Sequence, residues 1–237
     1  MSITPFFSII VPCLNAASTV GAALDSLFLA SKNLQGQSPE IILVDGGSID
    51  DTVEQALLRR SNLPGLKIIY QVSQGLAAAR NEGIAAATSS LISFCDADDI
   101  WTPQSLTLRL AALHRHTSSW SVTGQVRFFS INRDPSVEGA RRITGLDHSG
   151  YTPGAMLIKR DIFHKVGLFD ETLRIGADGD WILRALQLFG PPLEIKQIVL
   201  EKGLRPGRLS TDIQTYRAEM MLIARRFIAR ERSKFIK

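Results

Sequence analysis

Asp96-Ala97-Asp98-Asp99 sets three carboxylates within four residues, directly after the apolar run 91–95. Packed this closely they repel one another unless a cation or a basic group compensates, and hard oxygen donors with a turn between them suit Mg2+ or Mn2+. A divalent ion held there could bridge a diphosphate. Two more polar clusters follow apolar runs in the same way, Pro12-Cys13-Leu14-Asn15 and Asp45-Gly46-Gly47-Ser48. Any one alone is ordinary turn chemistry, since Asp, Asn, Gly and Ser are what strand-to-helix turns use. Three at corresponding places point to a shared site. A further carboxylate, Asp178, stands at the start of a predicted helix, where it is either a plain N-cap or a group kept ionised by the helix dipole. Asp180 is its rival, and could instead face solvent or pair with Arg184 at i+4. Phosphate has to be held without the usual glycine loops, because neither Gly-x-Gly-x-x-Gly nor Gly-x-x-x-x-Gly-Lys-Ser/Thr occurs.

The elements that would position these groups are legible in the apolar pattern. Residues 6–11, 41–44, 67–72 and 91–95 are short runs rich in Ile, Val, Leu and Phe, each the length of a buried strand. Between them the period changes: Val20, Ala23, Leu24, Leu27 and Phe28 repeat as one helix face, and Asp51 with Glu54 resembles a capping box opening a second helix. The resulting β-α-β-α-β-α-β order predicts an α/β fold, a mostly parallel sheet with helices on both faces and right-handed crossovers. All three polar clusters then fall on the carboxyl edge, where such sheets collect ligands. Thr102 and Pro103 read as an N-cap and a first-turn proline, followed by Leu106, Leu110 and Leu113 on one face. Beyond that helix the rhythm is irregular: a strand over 121–131, a polar loop over 132–151, and a helix over 178–189 stopped by Gly190, Pro191 and Pro192. This half is expected to hold a second ligand of the site. Residues 217–237 have helical spacing, with Met220, Ile223, Phe227 and Ile228 among arginines. The expected division is a main domain over 1–204 and a basic loop with an amphipathic helix over 205–237.

With 237 residues, 45% hydrophobic and 21% charged, the chain has a globular composition. No apolar run approaches the roughly 18 to 20 residues of a membrane span. The first residues lack the positive region of a secretory signal and two cysteines are too few for a disulfide scaffold, so a cytoplasmic setting is expected, with Cys13 and Cys95 as buried reduced thiols. The net charge is +4. From Arg205 onward nine basic residues face three acidic ones, a balance of +6 that leaves −2 for the rest. A basic surface over the whole molecule, as a nucleic-acid binder needs, is therefore absent. The basic tail either packs on the domain as a solvated helix or meets an anionic membrane surface, which would place the protein peripherally at the inner membrane face. His114, His116, His148 and His164 lack metal-ligand spacing. Trp181, beside Asp180, could stack on a ligand, although tryptophans are more often packing residues.

Taken in order, Val11-Pro12-Cys13-Leu14-Asn15, Val44-Asp45-Gly46-Gly47-Ser48-Ile49-Asp50-Asp51-Thr52, Gln74-Gly75-Leu76-Ala77-Ala78-Ala79-Arg80-Asn81-Glu82-Gly83 and Asp96-Ala97-Asp98-Asp99 resemble the motif series of family 2 glycosyltransferases. Gly167-Leu168-Phe169-Asp170-Glu171, Asp178-Gly179-Asp180-Trp181 and Arg205-Pro206-Gly207-Arg208-Leu209-Ser210 extend the resemblance over most of the chain. Any single motif is weak, whereas the order and spacing of the series are specific. The resemblance implies a GT-A fold of the bacterial polysaccharide-biosynthesis type. It further implies inverting transfer of a sugar from a nucleotide-diphosphate donor, a UDP-sugar by the family pattern, to the hydroxyl of a glycan or lipid-linked acceptor. By the same resemblance Pro12 and Asn15 match the loop beside base and ribose, Asp45 the carboxylate that reads the uracil edge, and Arg80 a basic residue near the nucleotide. Asp96 and Asp98 match the DxD pair, with Asp98 holding the Mn2+ or Mg2+, and Asp178 matches the general base. Arg205 and Arg208 match a loop that could close over the leaving group, or are a solvated turn. Gly46 departs from the pattern, since the family often has a second aspartate there.

Two other functions stay open on the residues. Asp96-Ala97-Asp98 also follows an apolar strand as in haloacid-dehalogenase phosphatases, although those carry the motif on the first strand and want Thr or Val where Ile100 stands. A non-catalytic sugar-nucleotide-binding module could keep the same fold, against which the joint presence of Asp98 and Asp178 weighs.

Overall fold

The computed structural model of the chain describes residues 6–32, 34, 38–130, 147–204 and 212–234. The four apolar runs form strands β1 (Ser8–Cys13), β2 (Glu40–Asp45), β3 (Leu66–Tyr70) and β4 (Leu91–Phe94). They pair in parallel in the order β3-β2-β1-β4. Their unbroken apolar character follows from burial on both sides. Ile9 and Val11 face one core with α1 (Val20–Ser31), α2 (Thr52–Leu57) and α4 (Ser105–Arg115), while Ile10, Ile42 and Val44 face another with α3 (Leu76–Ala86).

The second half is more ordered than its sequence suggests. Strands β5 (Asp99–Trp101), β6 (Ser121–Ser130), β8 (Met156–Lys159) and β9 (Leu193–Leu204) extend the same sheet in the order β4-β8-β6-β9-β5, and β7 (Asp147–Ser149) pairs with β6. The expected polar loop over 132–151 is therefore a strand at 147–149, while residues 131–146 lie outside the described residues. Helices α5 (Asp161–Val166), α6 (Ala177–Phe189) and α7 (Ile213–Lys234) contribute to the core on the α3 side. Trp181 of α6 is a packing residue, stacked on Phe163 at 4.7 Å between centroids and donating from Nε1 to Gly167 O at 2.8 Å. Gly190, at φ 73°, ends α6 in a conformation that favours glycine.

Two expected caps are corrected. Thr102 does not open the helix, which begins at Ser105; its hydroxyl donates to Ile198 O at 2.8 Å, tying the turn to β9. Asp51 makes no capping bond to α2, and the neighbouring Asp50 accepts from Thr52 N at 3.1 Å instead.

The described part of the C-terminal tail packs on the main domain. Ile223 is buried in the α3-side core, Arg226 pairs with Asp170 at 2.7 Å and Gln187 donates to Glu231 at 2.7 Å. Glu219 accepts from the backbone N–H groups of Arg174, Ile175 and Gly176 at 2.7–2.9 Å, gripping the segment that leads into α6. No helix among the described residues is long and apolar enough to cross a membrane.

Candidate active site

Parallel pairing carries the three polar clusters to one edge, and the loops there are laced together. Asn15, at φ 48°, accepts on Oδ1 from Ile49 N at 3.0 Å, and its own N–H donates to Ser48 Oγ at 2.9 Å. Ala16 N donates to Thr52 Oγ1 at 2.7 Å and Ala17 N to Asp50 Oδ2 at 3.1 Å. Asp45 is buried at the end of β2, where its Oδ2 accepts from Gly47 N at 3.2 Å and Ser48 N at 3.1 Å. That carboxylate shapes its own turn. Pro12 is a buried strand residue opposite Val44, not a loop residue. At Gly46 a Cβ would lie 3.1 Å from Gln71 Oε1 and 3.3 Å from Cys13 O, so a larger residue would have to push its neighbours aside.

Four consecutive residues of α3 each hold a different part of the edge. Arg80, with a side chain only 2% exposed, donates from Nη2 to Asp96 Oδ1 at 2.8 Å and from Nη1 to Asp178 Oδ1. Its guanidinium lies 5.9 and 5.7 Å from the ring centroids of Phe94 and Phe169. Asn81 clamps Phe169 by reciprocal bonds to its backbone N–H and carbonyl, both at 3.0 Å. Glu82 accepts from Val72 N and Ser73 N, fixing the loop after β3. Gly83 faces Ile10 so closely that a Cβ would come within 2.4 Å of its Cγ2.

Asp96, Asp98 and Asp99 offer oxygens that all lie within 4.8 Å of one another. Lys202 of β9, which sequence reasoning missed, donates to Asp96 Oδ2 at 3.1 Å and Asp99 Oδ2 at 2.7 Å, while Gly203 N donates to Asp99 Oδ1 at 3.1 Å. It comes there because Asp99 of β5 stands opposite Lys202 in the antiparallel register. Among the described residues, four carboxylates with Arg80 and Lys202 leave a formal charge of −2. Oxygen donors of that charge fit a hard divalent cation. Asp99 is fully buried, so Asp98 and the half-buried Asp96 are the members at the opening.

The electrostatics follow from burial and these pairings. Burial alone would raise the pKa of Asp96, but Lys202 and Arg80 outweigh it and hold the carboxyl well below the usual range. Asp99 is pushed up to about 6 by burial, against Lys202, with the Asp96 and Asp98 charges adding to the rise. For Asp178 burial also raises the pKa and Arg80 opposes it. The expectation of a dipole-held, weakly basic Asp178 is thus corrected: it is the second residue of α6, makes no capping bond, and loss of water dominates. Asp180 is buried and paired with Arg184 at 2.7 Å and Arg230 at 3.4 Å, the i+4 alternative. Arg205 and Arg208 lie outside the described residues. Cys13 and Cys95 are free and buried.

A family model described as Glycosyl transferase family 2 matches residues 8–167. The chain is 33% identical over 183 residues to a PGL/p-HBAD biosynthesis glycosyltransferase of Mycobacterium bovis, covering 76% of this chain and 69% of that protein. Among solved structures it resembles Staphylococcus aureus TarS 1–349 in complex with UDP-GlcNAc, with TM-score 0.69 and 20% identity over 87% of this chain and 61% of that one. It also resembles a mannosyltransferase of Pyrobaculum calidifontis in complex with GDP-Man and Mn2+, with TM-score 0.61 and 20% identity, covering 89% of this chain and 60% of the other. The chain thus spans about three fifths of each of these two structures. At that identity the likeness establishes the fold, the GT-A arrangement expected from the motif order. The phosphatase alternative finds no support, since the aspartate turn follows β4 rather than the first strand.

Proposed function

The chain belongs to glycosyl transferase family 2, and on that footing we propose that it performs an inverting transfer of a sugar from a UDP-sugar to the hydroxyl of a glycan or lipid-linked acceptor. The observation that carries this reading is the single guanidinium of Arg80, joined to Asp96 on one side and Asp178 on the other. Chemistry at a sugar carbon needs a group for the departing diphosphate and a base for the incoming alcohol on opposite sides of one ring, and Arg80 sets the two at a fixed spacing.

An alcohol is a poor nucleophile until its proton has somewhere to go. Asp178 accepts that proton as the new C–O bond forms and the bond to the diphosphate breaks, the electron pair leaving with the diphosphate. Burial makes Asp178 a stronger base than an ordinary carboxylate, and the Arg80 guanidinium opposes that rise. Asp180, tied to two arginines, is the positioning partner of α6 rather than the base. Asp98, with Asp96 beside it, would hold Mn2+ or Mg2+, which when bound neutralises charge on the diphosphate. The loops carrying Asn15 and Ser48 would receive the nucleoside, with Asp45 acting through the turn that it shapes.

The deciding variant is Asp178→Asn. Binding of UDP with Mn2+, followed by calorimetry, should stay within about twofold of wild type while turnover falls on the order of 1,000-fold. Loss of nucleotide binding instead would make Asp178 a structural group and remove the base assignment. The same calorimetry with GDP, CDP and dTDP tests the uridine preference, and the anomeric configuration of the product by NMR tests inversion.

A further inference from the structure

Helix α7 docks one face and leaves the other bare. On the docked side stand Glu219, Met220, Ile223 and Arg230, and the Phe227 carbonyl accepts from Gln187 Nε2. The outward residues are Arg217, Met221, Leu222, Arg225, Ile228 and Arg232, with alanines between them. Both acidic residues of the helix, Glu219 and Glu231, are turned to the domain, so the exposed positions 213–232 carry no carboxylate. Arg217, Arg225 and Arg232 follow one another at eight and seven residues, so they fall within roughly 80° of one helix face and span about 22 Å of its length. Among the described residues none of the three makes an ion pair or a side-chain hydrogen bond.

We propose that this outer face of α7 docks on an anionic lipid bilayer. Arginines set among apolar side chains on one helix face match a surface of phosphates above acyl chains: the guanidiniums reach headgroups while Met221, Leu222 and Ile228 enter the boundary below them. A nucleic acid fits the face less well, because it offers no apolar layer for those three side chains and the exposed helix residues include one aromatic for base stacking, Tyr216. The inner face of the same helix grips residues 174–176, which lead into Asp178. A bilayer on the outer face therefore lies about one helix diameter, roughly 10 Å, from that segment, within reach of an acceptor anchored in lipid. The docking surface itself does not depend on the glycosyltransferase reading.

The test is co-sedimentation of the full chain with phosphatidylcholine vesicles with and without phosphatidylglycerol, at low and high salt. Partition is expected on the anionic vesicles alone and should weaken with salt. R217Q/R225Q/R232Q should lower it on the order of 100-fold, and M221S/I228S should lower it severalfold, with turnover on a soluble acceptor unchanged in both. Equal partition to both vesicle types, or wild-type partition by the triple variant, overturns the proposal. So does retention by single-stranded RNA without vesicle binding, or a dimer in solution that the triple variant dissolves.

Discussion

Burying a guanidinium is costly unless carboxylates meet it, and Arg80 meets two. The carboxylates around this site are pulled in opposite directions: Arg80 and Lys202 hold Asp96 low, while burial pushes Asp178 and the Lys202 partner Asp99 high. For Asp99 the folded-state pKa of about 6 lies above the ordinary value of 3.8, so between these the folded state holds more protons than the unfolded one and stability falls as pH rises. Melting curves between about pH 4 and pH 7 should show wild type losing stability relative to Asp99→Asn, and parallel curves would dismiss the assignment. Asp178 should appear as a loss of turnover on the acid side, at a pH above the usual carboxylate range, because only its ionised form accepts a proton. Lys202 opposes the cation that the aspartates would hold. Lys202→Met leaves the cluster one charge more negative, so calorimetric Mn2+ affinity should rise by about fivefold, a screened attraction of roughly 1 kcal/mol. The apo protein should melt lower. Weaker Mn2+ binding would mean that Lys202 organises the ligands instead.

At the level of elements, the proposed base Asp178 is only as well placed as the start of α6. That start is held by a helix from the chain's far end, through Glu219 and three backbone N–H groups. Glu219→Ala leaves those donors without their acceptor, at about 1–3 kcal/mol. Melting should register this, and kcat should fall more than the donor KM changes, because the loops after β1 and β2 that are proposed to receive the donor are laced to one another rather than to α7. A change confined to KM would uncouple α7 from the base. The motif Arg80-Asn81-Glu82-Gly83 was legible as a unit because its members are adjacent in sequence, and α3 sends them to four different neighbours. β5 was not legible: three residues, Asp99–Trp101, show no periodicity, and the strand exists because β9 pairs with it.

For the molecule as a whole, the proposed divalent-cation site, of formal charge −2 inside a folded sheet, should bind its ion in the native state alone. Mn2+ at about a hundred times its Kd should stabilise by about 2.7 kcal/mol, a Tm rise of roughly 5–10 °C for a domain of this size. EDTA should reverse the rise, and Asp98→Asn should abolish it; an unchanged rise in that variant would place the ion elsewhere.

The sequence by itself determined the parallel half of the sheet, since unbroken apolar strands alternating with amphipathic helices have few other ways to bury both faces. It also determined that Asn15, Asp45 and Asp96 share an edge, because parallel strands send every strand-to-helix turn to the same side. Tertiary structure decided what each of these groups does there. Lys202 reaches the aspartates through a pairing more than a hundred residues away in sequence, and Arg80 was legible as a basic residue but not as the link between Asp96 and Asp178. Asp45 turned inward to its own loop, and Asp178 gained basicity from the loss of water around it. Charge and solvation depend on which chain segments pack together, and no local pattern records that.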